Sequence, residues 1–168
     1  FTFRQDAPLD MRMHRKGSVS AAHLLKTLDE TSLADVLYNF GELTNSRRIA
    51  KEIVAARSVK PLKTVNDIID AIGRLAPFRQ EHKFYAKVFQ ALRIAVNHEL
   101  EYLKEMLEQA LSVLNPGGRL VAITYHSLED RVVKNFLRTG NFEGEEKKDF
   151  YGNVETPFRI LNRKGTIP

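Results

Sequence analysis

Apolar residues recur along this chain at two different periods. From Phe84 onward, Phe89, Leu92, Val96, Leu100, Leu103, Leu107, Ala110 or Leu111, and Leu114 alternate three- and four-residue steps, the stripe of an amphipathic helix. At 1.5 Å per residue such a helix is on the order of 45 Å long, so the pattern predicts one long helix bridging two lobes. Asn115-Pro116-Gly117-Gly118 ends it, and Arg119-Leu120-Val121-Ala122-Ile123-Thr124-Tyr125 follows as a nearly continuous apolar run rich in β-branched residues. That run predicts a strand buried in a parallel sheet. His126 and Ser127 then stand at the carboxyl end of the strand, where a helix begins with Ser127 as N-cap and Asp130 as its capping-box partner. This helix carries Val132, Val133 and Phe136 and ends near Thr139-Gly140.

Upstream, the period is helical throughout. A short helix is predicted from Ser20 to about Leu28, and a second from an Asp29 cap through Leu33, Val36, Leu37 and Phe40, with Gly41 as C′ residue. Ser46 caps a third, which turns Ile49, Ile53 and Val54 inward. Thr64 and Asp67 open a fourth carrying Ile68, Ile69 and Ile72, with Pro77 beyond its end. Residues 20–77 thus read as a compact helical cluster. Residues 1–14 show neither period and read as an extended loop, and 141–168 as a loop with room for one edge strand at Phe158-Arg159-Ile160-Leu161.

Composition narrows the class. The 168 residues are 43% hydrophobic, enough for one domain or one domain with a small lobe. No apolar run approaches the ~20 residues of a membrane span, and no signal-peptide pattern opens the chain, so a soluble protein with no membrane partner is expected. The absence of cysteine excludes disulfides and thiolate metal sites and is compatible with a cytoplasmic location. The five histidines are scattered without ligand spacing, so no metal is implied.

The formal charge of +5 is unevenly distributed. Arg47, Arg48, Lys51, Arg57, Lys60 and Lys63 face a single acid, Glu52, over one short stretch. Arg47, Arg48 and Lys51 share the outward face of the third helix, which suits a phosphate backbone and equally fits an ordinary solvated face. The junction at His126 carries the second candidate site, because open α/β sheets hold ligands at their carboxyl strand ends. An imidazole there can accept or relay a proton, whereas Ser127 and Asp130 also fit a plain helix start. One buried strand cannot make a sheet, since its edges and faces need partners. The chain is therefore expected to be a fragment, a processed product or an incompletely represented protein.

Several segments together resemble a known family. Asp6-Ala7-Pro8-Leu9-Asp10-Met11-Arg12-Met13, Ser46-Arg47-Arg48-Ile49-Ala50, Phe89-Gln90-Ala91-Leu92-Arg93-Ile94-Ala95-Val96-Asn97, Pro116-Gly117-Gly118-Arg119-Leu120 and His126-Ser127-Leu128-Glu129-Asp130-Arg131 are similar, in order, to segments of the MraW (RsmH) methyltransferases. The resemblance implies an α/β fold: the C-terminal part of a Rossmann-like S-adenosylmethionine methyltransferase carrying an inserted helical domain, mostly helical as given. It divides the chain into residues 1–19, an extended segment of the Rossmann-like domain; 20–84, the inserted helical domain and RNA-binding candidate; and 85–168, the long bridging helix, the buried strand, the following helix and the tail. The implied activity is S-adenosylmethionine-dependent N4-methylation of a cytidine in 16S ribosomal RNA, with that RNA or the small ribosomal subunit as partner. The family's glycine-rich loop and acidic cofactor residue lie upstream of the Asp6 motif and its arginine-rich strand downstream. The chain by itself is therefore expected to lack the main cofactor pocket and to be inactive alone. Ala7 replaces the motif's usual glycine, His14 its closing aspartate and Tyr125 the phenylalanine before His-Ser.

The reaction needs acceptors for the protons of a weakly nucleophilic amino group, and His126, Ser127, Asp6 and Asp10 are those available. Aromatic faces to hold an unstacked base are offered by Tyr125, Phe1 and Phe3, the last two being better suited to hydrophobic packing. Arg12 fits a phosphate or an internal pairing with Asp6 or Asp10. The alternative function for these residues is a non-catalytic basic helical RNA-binding module.

Overall fold

A computed structural model describes residues 5–14, 19–152 and 156–161. Phe1 and Phe3 lie outside them. The chain folds into two compact units, Phe1–His98 and Glu99–Pro168.

The first unit is a helical cluster. It comprises α1 (Ala21–Thr27), α2 (Glu30–Gly41), α3 (Ser46–Val59), α4 (Val65–Ile72), a 3-10 turn (Gly73–Leu75) and α5 (Glu81–Asn97). α2 packs on both α3 and α5, α4 on α3, and α1 on α5. Their shared core buries Leu25, Leu33, Leu37, Ile49, Ile53, Ile68, Ile72, Val88 and Leu92. The helix starts follow the local chemistry. Ser20 accepts from the His23 amide, Asp29 from the Ser32 amide, and Thr64 and Asp67 form a reciprocal capping box. The leading loop is stitched down by main-chain bonds: Leu9 N–H to Lys63 O at 2.9 Å, Val65 N–H to Ala7 O at 2.9 Å and Ala21 N–H to Asp10 O at 2.9 Å. The Leu9 side chain is buried among the helices.

Three expectations for this unit are corrected. Asn45, not Ser46, occupies the N-cap of α3, and Ser46 is a buried first-turn residue. Gly41 is the last residue of α2, while Glu42 takes the left-handed conformation at φ 50°. A Cβ on Gly41 would come within 3.0 Å of the Lys87 carbonyl oxygen, so this glycine lets α2 approach α5. The single bridging helix is two helices, because His98 adopts φ 51°, ψ 40° and closes α5 with its N–H on Ile94 O. Histidine tolerates that region better than most residues, and the apolar stripe resumes beyond it, so periodicity does not register the break.

The second unit contains α6 (Glu99–Val113) and α7 (Ser127–Thr139). Leu107 of α6 meets Val133 and Phe136 of α7. Phe142 stacks on Phe136 with centroids 4.8 Å apart, and Phe158 lies 6.0 Å from the same ring. Gly140 ends α7 at φ 73°, as predicted.

The predicted strand at residues 119–125 is not formed among the described residues. Val121, Ile123 and Tyr125 are 84%, 73% and 88% exposed. The physical reason is the one the sequence raised: a strand needs a neighbour for its ladder and a layer over each apolar face. Phe158-Arg159-Ile160-Leu161 likewise forms no edge strand. Its Phe158 packs on the α7 cluster instead.

Candidate functional site

At the start of α7 the side chains form a closed loop of contacts. His126, in extended backbone conformation, is the N-cap, and its Nδ1 accepts from the Glu129 amide at 3.3 Å. The Glu129 carboxylate reaches back to the Tyr125 amide at 2.8 Å. Its other oxygen lies 3.5 Å from His126 Nε2. This corrects the expected Ser127–Asp130 capping box. Ser127 is the first helical residue, and Asp130 pairs with Lys134 at 2.7 Å. An imidazole acceptor has displaced the hydroxyl by one position, and Glu129 performs the reach-back expected of Asp130.

The cap fixes the ring chemically. With Nδ1 accepting, a neutral imidazole carries its proton on Nε2. That atom is buried and makes no hydrogen bond within normal geometry. It faces an acidic neighbourhood, for Glu99, His126 and Glu129 have ligand atoms within 4.8 Å of one another. One imidazole and two carboxylates could hold a divalent cation only if Nε2 lost its proton, which the cap on Nδ1 opposes. The arrangement is better suited to an N–H donor beside carboxylate acceptors. Tyr125, 88% exposed, presents an open aromatic face next to it.

In the first unit, Asp10 and Arg12 are brought together. Arg12 Nε lies 2.5 Å from Asp10 Oδ1 and an Arg12 terminal nitrogen 2.9 Å from Oδ2. Of the two pairings open to Arg12, the structure forms the internal one with Asp10. Asp6 instead accepts from the Asn66 amide at 3.1 Å. Asn97 holds this loop. Its Nδ2 donates to Met11 O at 2.8 Å, and its Oδ1 accepts from Met13 N–H at 2.8 Å. Met11 has φ 59°. Gln90 donates to Phe40 O at 3.2 Å and belongs to the α2–α5 packing.

On α3, Arg47, Arg48 and Lys51 are exposed while Ile49, Ala50 and Ile53 are buried, as the amphipathic pattern required. None of the three cations makes an ion pair among the described residues. The rest of the basic run is partly committed to structure. Arg57 donates to Leu25 O, and Lys60 bridges Asp67 at 2.7 Å. That bridge and the amides of Lys63 and Thr64 hold the Asp67 carboxyl far below the usual carboxylate range. Helical spacing leaves Asn97 and Glu99 open between solvent and a ligand, and sequence reasoning gave Glu129 no role beyond its place in the quoted motif beside His126.

Comparison with known proteins adds the following. The model of the MraW methylase family matches residues 1–168. A protein of Phocaeicola vulgatus named ribosomal RNA small subunit methyltransferase H is 54% identical over 164 residues, covering 98% of this chain and 54% of that protein. Proteins of the same name from Bacteroides fragilis and Parabacteroides distasonis are each 52% identical over 168 residues, covering all of this chain and 55% of theirs. The chain thus spans about half the length of the curated relatives it matches.

Proposed function

The chain belongs to the MraW methylase family, and on that premise we propose that it forms part of an enzyme methylating N4 of a cytidine in 16S ribosomal RNA. The observation that carries this reading is the agreement of about half of all positions, end to end, with proteins named for methylating small-subunit ribosomal RNA. The second unit then supplies part of a Rossmann-like domain, in which residues 119–125 become a sheet strand. The exposure of Val121 and Ile123 supports this, because it leaves apolar side chains free for a covering layer. The first unit supplies most of the helical insertion, and Arg47, Arg48 and Lys51 grip the RNA backbone.

S-adenosylmethionine supplies the methyl group when bound. The residues present act on the RNA base. His126, its Nδ1 tied to the α7 cap, presents an Nε2–H and so holds an acceptor atom or a carboxylate rather than taking the first proton. Ser127 and the Glu129 carboxylate offer acceptors to the amino protons, and Tyr125 offers a stacking face for the unstacked base. Arg12 orients Asp10 through its two-point pairing.

Nucleoside mass spectrometry tests the reading. A protein of the relatives' full length, given S-adenosylmethionine and small ribosomal subunits lacking the modification, is expected to produce N4-methylcytidine. A different methylated nucleoside, or none, defeats it. The second reading, a basic RNA-binding module without catalysis, draws on the unpaired Arg47, Arg48 and Lys51 face. Calorimetry on a protein of the relatives' full length separates the two: S-adenosylmethionine binding is expected of the first reading, and RNA binding without cofactor binding of the second.

A further inference from the structure

We infer that Phe78, at the tip of the turn before α5, is a stacking platform for an unpaired RNA base, flanked by the α3 cations. The inference deepens the RNA-binding role proposed for the first unit and rests on it. Four residues form the turn, closed by Gln80 N–H to Pro77 O at 2.9 Å. Its third residue, Arg79, sits at φ 61°, a region where a non-glycine side chain is disfavoured. Glu81 holds it there by accepting from the Arg79 amide at 3.1 Å. The consequence is an aromatic ring pushed outward, 82% exposed, with the Arg79 guanidinium 5.2 Å from its centroid.

The position of the tip argues for RNA. Arg74, four residues before Phe78, forms a salt bridge with Glu52 of α3, and Glu52 follows Lys51 directly and stands one helical turn from Arg48. Four residues reach at most ~14 Å, so the ring lies within a short run of nucleotides of the cationic face. Arg79 lies over the ring, and its neighbours along the chain, Arg74, Gln80, Glu81, His82 and Lys83, are exposed polar residues with an excess of positive charge, not an apolar surface. Protein interfaces bury clustered apolar anchors and are depleted in lysine, whereas single-stranded RNA is held by an isolated π face among cations that follow its phosphates.

Fluorescence binding to a short unstructured RNA carrying 2-aminopurine, with a duplex of the same sequence alongside, tests the inference. Phe78→Ala is expected to weaken single-strand binding about 5- to 100-fold, leave duplex affinity and the salt slope unchanged, and abolish quenching of the base probe. Phe78→Tyr is expected to bind like the parent. Because the ring is exposed, both variants should melt with the parent, which separates lost stacking from lost fold. Single-strand affinity unchanged in Phe78→Ala, an equal loss on the duplex, or failure of Phe78→Tyr would each overturn the assignment. So would weaker docking on the small ribosomal subunit with RNA affinity intact, which would make the ring a protein contact. If Arg47→Ala with Arg48→Ala leaves the salt slope unaltered, the α3 reading fails and this one with it. If that slope falls while Phe78→Ala is silent, only the Phe78 inference fails.

Discussion

Replacing Asn97 with alanine removes the clamp on the loop that carries Asp10 and Arg12. Three contacts at 2.8–2.9 Å are lost: Nδ2 to Met11 O and to Arg93 O, and Oδ1 from Met13 N–H. The Arg93 contact lies within one helix and counts for little. The other two join residues more than eighty positions apart and also hold Met11 at φ 59°, a conformation costing roughly 1 kcal/mol that relaxes when the clamp goes. Each net hydrogen bond contributes about 0.5–1.5 kcal/mol, and Met13 is exposed, so its amide can turn to water. The sum centres on about 1 kcal/mol and reaches at most about 2 kcal/mol, or up to about 8 °C in Tm for a chain of this size. Urea unfolding measures the total, and amide exchange locates it. The Met13 amide should lose protection in Asn97→Ala, while Ile68 and Leu92 in the core fall only by the global change. Unaltered Met13 exchange and an unaltered urea midpoint would refute the clamp. Asn97→Asp keeps the acceptor for Met13 but faces a carboxylate toward Met11 O, so it should recover little of the loss.

Further outcomes follow from the same geometry. Gly41→Ala drives a methyl group to 3.0 Å from Lys87 O and should cost about 1–3 kcal/mol by urea unfolding, because helix backbone must move; a neutral result would refute the close approach of α2 to α5. His126→Ala should remove about 1 kcal/mol of capping and raise exchange at the Glu129 amide, whereas His126→Asn, which retains an acceptor, should restore it; equal exchange in all three would refute the cap. Asp67 titrates lower when folded than unfolded, first because of its Lys60 bond, so its stabilisation is complete above about pH 4 and is lost as the pH falls further. Asp67→Asn should therefore flatten the acid side of the stability curve, and identical acid unfolding of variant and parent would contradict this. Removing both Arg47 and Arg48 should reduce the log–log salt slope of RNA binding by about 1.4 for a single strand, and an unchanged slope would refute their contact with phosphate.

What sequence could foretell here depended on how local the cause was. Thr64 with Asp67, Ser20 and Asp29 each act on an amide three residues away, so their caps were readable from spacing. The inward Ile49 and Ile53 and outward Arg47, Arg48 and Lys51 were readable because one helix face decides them. His98 was not, since a single left-handed residue leaves the stripe in register on either side. Nor was the cap at His126, where Ser127 had the commoner chemistry and only the side-chain positions of His126 and Glu129 reveal the winner. Residues 119–125 have the composition of a buried strand but no partner among the described residues, and pairing is not a local property. Asn97 acts on residues far away in sequence, which spacing along one helix does not show.

The account depends on residues 119–125 delivering His126 to the carboxyl end of a sheet. Amide hydrogen exchange at Val121, Ile123 and Tyr125 tests it most directly, comparing this chain with a protein of the relatives' full length. Rapid exchange in the 168 residues and strong protection in the full-length protein is the predicted result. Rapid exchange at these three amides in both would contradict it.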